Sequence, residues 1–358
     1  MIDINPQNKK LILSVDGGGM RGMITIAMLA ELEALTGKPC HEMFDMVAGT
    51  STGAIIAAGI CVGYSAQEIL ELVYRDRLPN AFPRSGISVY IRYILQGLHY
   101  LYDLKPFNEA LGSLVQGRKI RDFQKPILLL TTHDVRTSST LYIVSKGPGS
   151  ALVADWPLSG SVAASGAAPV YFPPVAGNLI DGGVGVHANP SLAAAIEAME
   201  YLGAAEGFTP GNVLMMSLGT GYTPNKIADG KASKFNLINW IQYVIGETLD
   251  EAGLQQASST RAIYGGDKVD FRRYNVLLTR ENVENALGIS TVGRPDPNHL
   301  GLDSRAPQEI ALMEAIGRAY GQAIDWTQSN VMPWDTRGGH PKPDMEAQQI
   351  DWSTTDYR

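Results

Sequence analysis

Residues 44–58 read FDMVAGTSTGAIIAA. An apolar run (Phe44, Met46, Val47, Ala48) stops at Gly49, and a second begins at Ala54. Between them Ser51 sits in Gly49-Thr50-Ser51-Thr52-Gly53. A strand that turns sharply into a helix needs small residues on either side of the turn, because backbone passes close to backbone there. The residue at the apex is then lifted into the open, and a serine in that place is a candidate nucleophile. With 38 glycines in 358 residues, Gly-x-Ser-x-Gly alone is a modest signal. Its weight comes from what lies on either side.

Upstream, the apolar residues 11–15 are followed by Asp16-Gly17-Gly18-Gly19-Met20-Arg21-Gly22 and then by a helical pattern. Consecutive glycines between a strand and a helix can turn successive N–H groups toward one point, and the helix N-terminus adds its positive end. The loop therefore suits an anion. It has neither the GxxxxGK[ST] nor the GxGxxG spacing of nucleotide loops, so beside the serine it reads as an oxyanion hole in preference to a phosphate cradle. Downstream, Asp181 follows the apolar pair Leu179 and Ile180 and precedes Gly182 and Gly183, where a strand end would present a carboxylate to a cleft. His187, six residues on, is the other candidate base, though it reads more readily as a neighbouring or surface histidine.

Short β-rich runs alternate with helical ones along the first part of the chain, with strands expected at 11–15 and 44–48 and helices at 22–35 and 52–62. That alternation implies βαβ units about a mainly parallel sheet. Further strands are expected at 126–132, 141–144, 213–217 and 274–278, and helices at 190–202, 235–258 and 307–326. The reading is a three-layer α/β/α fold, as one domain over 1–328 with a polar tail at 329–358. Residues 75–105 stand apart: Arg75, Arg77, Arg84, Arg92 and Lys105 outnumber Asp76 and Asp103, and apolar residues recur at helical spacing. They read as a lid or membrane-contact insert, or equally as a helix with a solvated basic face. The stretch 261–305 carries no interpretable motif.

The hydrophobic fraction of 45% supports a substantial core, and a formal net charge of -7 argues against nucleic acid as a partner. Cys40 and Cys61 lack disulfide or metal-site patterning, which fits a reducing compartment. No signal peptide or membrane span is recognisable. The expectation is a cytoplasmic protein, at most peripheral at a membrane.

The ordered blocks DGGGMRG (16–22), GTSTG (49–53) and DGG (181–183) resemble the signature of the patatin-like phospholipases. Ala164-Ser165-Gly166-Ala167-Ala168-Pro169-Val170-Tyr171-Phe172-Pro173-Pro174 and Ser217-Leu218-Gly219-Thr220-Gly221 extend the resemblance over about residues 9–222. It implies a Ser-Asp dyad in place of a triad, with Ser51 as nucleophile and Asp181 as base, and a cofactor-free acyl hydrolase of phospholipids or related esters. Gly17, Gly18 and Gly19 would form the oxyanion hole, Arg21 would order that loop, and Asp16 would fix the turn. Metal, calcium included, is not required where backbone donors stabilise charge. Two other functions keep the same scaffold: an acyltransferase using the same acyl-serine, and a non-catalytic lipid-binding regulator. Control by an activating ligand or by homo-oligomerisation is expected of an enzyme that would otherwise attack its own membrane. Tyr171 and Phe172 read first as packing under the sheet edge, and second as a lining of the acyl channel.

Overall fold

The computed structural model describes residues 1–81, 100, 102–115, 117–223 and 231–328. Most of the proposed insert, with Arg84 and Arg92, and the polar tail lie outside them. Seven strands form one mixed sheet: β1 (Lys10–Val15), β2 (Met46–Gly49), β3 (Ile127–Asp134), β4 (Ser139–Val144), β5 (Leu179–Asp181), β6 (Val213–Leu218) and β7 (Val269–Tyr274). The order is β4-β3-β2-β1-β6-β7, with β5 also paired to β3. The pairs among β3, β2, β1, β6 and β7 are parallel, while β4 and β5 run antiparallel to β3.

Side chains alternate across a strand, and here both faces are covered, so the strands read as near-continuous apolar runs. In β1, Leu11, Leu13 and Val15 enter one core while Ile12 enters the other. Val47 of β2 joins the first core, and Met46 and Ala48 the second. The first core is closed by α1 (Gly22–Thr36), α2 (Thr52–Val62), α3 (Leu104–Val115), α4 (Leu158–Ser165) and, further along the chain, α7 (Pro307–Ala323). The second is closed by α5 (Ser191–Ile196) and α6 (Leu237–Tyr264). The result is the expected three-layer α/β/α arrangement.

Helix α1 is buried almost all round because α7 lies against its outer side. A side chain at Gly317 would collide with the Ile24 carbonyl, so that crossing is as close as backbones allow. Two expectations are corrected. The last strand is 269–274 and not 274–278. Arg75 is not an unmatched cation of a basic face, because its Nε donates to Glu314 of α7 at 2.9 Å, an acid that only the fold brings near. No described helix is long and apolar enough to cross a membrane.

Candidate active site

Parallel strands β1, β2 and β6 end together, with Val15 in register with both Gly49 and Leu218. Such an edge is where doubly wound sheets place their ligands. Beyond β2 the chain reverses at Ser51, whose φ of 56° and ψ of -121° are sparsely populated for a non-glycine residue. Its neighbours permit this. A side chain at Gly49 would meet the Gly53 carbonyl, and one at Gly53 would meet the Val15 carbonyl. The Ser51 N–H donates to the Ser165 hydroxyl at 3.0 Å, from the end of α4.

Asp181 ends β5 opposite Thr132 of β3. Its N–H donates to the Ala167 carbonyl (3.0 Å) and one carboxylate oxygen, Oδ1, accepts the Gly183 N–H (2.8 Å). Gly182 is required at its place because a side chain there would strike the Thr131 carbonyl. Thr50 links this loop to the elbow, its hydroxyl donating to the His187 carbonyl at 2.7 Å and lying 2.6 Å from the Thr131 hydroxyl.

Asp181 is only 1% exposed. Burial lifts its pKa to about 6, opposed by the Gly183 N–H and by the Ser51 hydroxyl. Ser51 is therefore near enough to interact with the carboxyl, yet the second oxygen, Oδ2, has no partner in good hydrogen-bond geometry. A loose approach of this kind is usual for a nucleophile and its base before substrate arrives.

Ser51, Asp181, Gly18 and Gly19 line one cleft with about 590 Å³ of free space, part of it open to solvent, whose walls include Ile55, Leu78, Tyr171, Phe172 and Leu302. Tyr171 and Phe172 both border this cleft and pack against the first core. The walls are mostly apolar with a few polar groups, the usual composition of a small-molecule site.

The glycine loop differs in one respect from expectation. The Gly17 N–H is already donated to the Ala188 carbonyl at 2.7 Å, so Gly17 tethers the loop and has no donor left for an oxyanion. Among the described residues no backbone carbonyl takes the Gly18 or Gly19 N–H. Gly18 and Gly19 adopt φ of 157° and 57°, and a side chain at Gly19 would collide with the Leu302 carbonyl. That carbonyl accepts the Met20 N–H at 2.7 Å. The stretch without a motif, 261–305, therefore supplies a backbone strut for the loop, as well as Leu302 and Asp303 in the cleft wall.

Arg21 is 4% exposed and donates to Asp250 of α6 at 3.0 Å, joining the loop to the helix behind it. Asp16 accepts Arg273 through both oxygens (2.9 and 2.6 Å) and Asn189 at 2.7 Å, which suits a structural residue. The His187 ring turns to the Tyr142 hydroxyl, 2.9 Å from Nε2, and is absent from the cleft wall. Ser165, Thr50 and Leu302 are the supporting residues that sequence reasoning missed. Ser165 lies inside a quoted block, but Leu302 carried no signal, since its contribution is a main-chain carbonyl.

A family profile of patatin-like phospholipases matches residues 13–196. A cGAMP-activated phospholipase of Vibrio cholerae is 32% identical over 180 residues, covering 47% of this chain and 50% of that protein. Patatin-like protein 2 of Arabidopsis thaliana is 29% identical over 322 residues, 79% of this chain and 75% of the plant protein. A cGAMP-activated phospholipase of Escherichia coli is 29% identical over 237 residues, 62% of this chain and 65% of the other. The chain spans half of the Vibrio cholerae relative's length and just under two thirds of the Escherichia coli one's.

Proposed function

We propose that this chain, which belongs to the patatin-like phospholipase family, is a serine hydrolase of lipid acyl esters working through Ser51 and Asp181. The observation that carries the reading is their meeting in one apolar cleft: a serine held at φ 56° opposite a buried carboxyl with a pKa near 6. A carboxylate poised there is a far better base at neutral pH than a solvated aspartate.

In the first half-reaction Asp181 takes the Ser51 proton as Oγ attacks the ester carbonyl. The tetrahedral oxyanion is stabilised by the N–H groups of Gly18 and Gly19. Collapse breaks the bond to the leaving alkoxide, which takes the proton from Asp181, and an acyl-serine remains. Asp181 then takes a proton from water as the water attacks the acyl-serine, and returns it to Ser51 Oγ as the fatty acid leaves. Each residue ends as it began. The walls formed by Ile55, Leu78 and Phe172 suit an acyl chain.

Two of the relatives are named for activation by cGAMP, which supports a ligand-gated enzyme. The test is turnover of a p-nitrophenyl ester and a labelled phospholipid by wild type, Ser51→Ala and Asp181→Asn, with and without cGAMP. Both variants should fall to background, on the order of 10⁴-fold or more below wild type, since nucleophile and base act as a unit. Wild-type turnover that survives in Asp181→Asn would overturn the dyad.

A further inference from the structure

A second, larger cavity with about 1970 Å³ of free space, much of it open, adjoins the cleft, and Asp303 borders both. Its lining is about half polar, and most of its charges are already paired. Arg75 is bound to Glu314, which also accepts from Arg318 at 3.0 Å. Glu309 accepts the Ala306 N–H at 2.8 Å and the Ser304 hydroxyl at 3.2 Å. Arg305 and Asp303 are different. Among the described residues Arg305 makes no ion pair with a carboxylate. Its NH1 donates to the Tyr102 hydroxyl at 3.1 Å, and its guanidinium lies 6.0 Å from the centre of that ring. The Tyr102 hydroxyl in turn points to Asp303, at a long 3.5 Å.

One phenol thus stands between a cation and an anion where the second cavity meets the cleft at Asp303. Its ring ties them to the site, since Tyr102 stacks on Tyr171 at 6.1 Å and tilts against Phe172 at 5.7 Å, both in the cleft wall. A guanidinium anchored through NH1 to a buried tyrosine keeps its other N–H donors for a ligand, and its planar fork suits a phosphate. A zwitterionic glycerophospholipid carries a phosphodiester a few bonds from its ester carbonyl and an ammonium just beyond.

We propose that Arg305 binds the phosphodiester of a zwitterionic glycerophospholipid whose acyl ester lies at Ser51, while Asp303 faces its ammonium group. This rests on the acyl-hydrolase reading above for the placement of the ester, and it assigns the headgroup selectivity to residues outside every motif in the sequence.

The test begins with binding, which needs no turnover. Dihexanoyl phosphatidylcholine below its micellar concentration is titrated calorimetrically into the Ser51→Ala chain, and into the same chain carrying Arg305→Gln, Arg305→Lys or Asp303→Asn. Arg305→Gln should weaken binding by about tenfold or more, as for a lost charge-assisted hydrogen bond, and Arg305→Lys by less. Asp303→Asn should weaken phosphatidylcholine but not dihexanoyl phosphatidylglycerol. Inorganic phosphate should bind at least tenfold more weakly than the lipid. Failure of the Ser51→Ala chain to bind phosphatidylcholine, binding by Arg305→Gln within twofold of the parent, or inorganic phosphate as tight as the lipid would each overturn the headgroup site. A turnover arm then compares phosphatidylcholine with p-nitrophenyl butyrate, and Arg305→Gln should lower the ratio of the two kcat/KM values. A ratio is insensitive to partial misfolding, because loss of folded enzyme scales both substrates alike. Wild-type inactivity on both substrates would count against acyl hydrolysis, while the calorimetry would still decide the headgroup site.

Discussion

At the scale of the residue, Asp181 is a compromise between stability and chemistry. Burial favours its neutral form, so the folded carboxyl titrates near 6 against an ordinary value of 3.8. The folded state therefore binds this proton more tightly than the unfolded chain. Its contribution to stability is fully present below about pH 4 and is lost as pH rises to about 6, leaving a native state destabilised at neutrality by roughly 2–3 kcal/mol. The proposed catalysis runs the other way, since in that cycle only the carboxylate accepts the Ser51 proton. We expect kcat/KM to rise about tenfold per pH unit below 6 and to level off above it. Asp181→Asn should abolish turnover and yet raise the melting temperature by a few degrees at pH 7.5, with little gain at pH 4. Thermal melts at the two pH values check this, and a variant less stable than wild type at pH 7.5 would count against the burial argument. The places of Ser51 and Asp181 were legible because backbone passes close to backbone beside both, at Gly49, Gly53 and Gly182, and a sequence displays the glycines this demands. The contributions of Gly17 and Leu302 were not, because they reside in one N–H and one carbonyl that any residue possesses.

At the scale of the element, three strands are cross-linked behind the glycine loop. Asp16 follows β1, Arg273 lies in β7, and Ser217 of the intervening β6 accepts from Arg273 NH1 at 3.0 Å. With Asp16 and Arg273 only 7% and 3% exposed, the pair adds little net stability over an apolar substitute, but either charge left alone is costly. Arg273→Leu should destabilise by about 3–5 kcal/mol, and adding Asp16→Asn should restore a large part of that loss, as denaturant titration of the two variants would reveal. Equal instability of single and double variants would mean that packing, and not the orphaned carboxylate, sets the cost. The same charges explain why β7 was placed too late in the chain. Arg272 and Arg273 stand in the stretch that carried no interpretable motif, yet both are buried, Arg272 against Asp270 and the carbonyls of Ile4 and Trp326. A buried charge is tolerated only with partners, and partners from distant segments leave no local pattern. The strands β1, β2 and β6 have no such charges and appeared within two residues of their expected bounds.

At the scale of the whole molecule, the formal charge of -7 sets how the chain meets a lipid surface. A mainly parallel sheet covered on both faces could be read from the alternation of strand and helix patterns, though not the order of its strands. The placement of charge in space could not, as Arg75 and Glu314 illustrate. A net negative protein approaching an anionic bilayer is repelled over a Debye length of about 30 Å at 0.01 M salt, and over only about 8 Å at 0.15 M. A zwitterionic bilayer exerts no such long-range force. Raising the salt from 0.01 to 0.15 M should therefore increase hydrolysis of vesicles containing phosphatidylglycerol severalfold, and change that of phosphatidylcholine vesicles little. Stopped assays with labelled lipid in the two vesicle types measure the ratio. Faster attack on the anionic vesicles at low salt would mean that a local cluster of cations governs docking against the sign of the whole. The arginines of residues 75–105 would then be the first to replace, with Arg84 and Arg92 ahead of Arg75, whose charge is already met by Glu314.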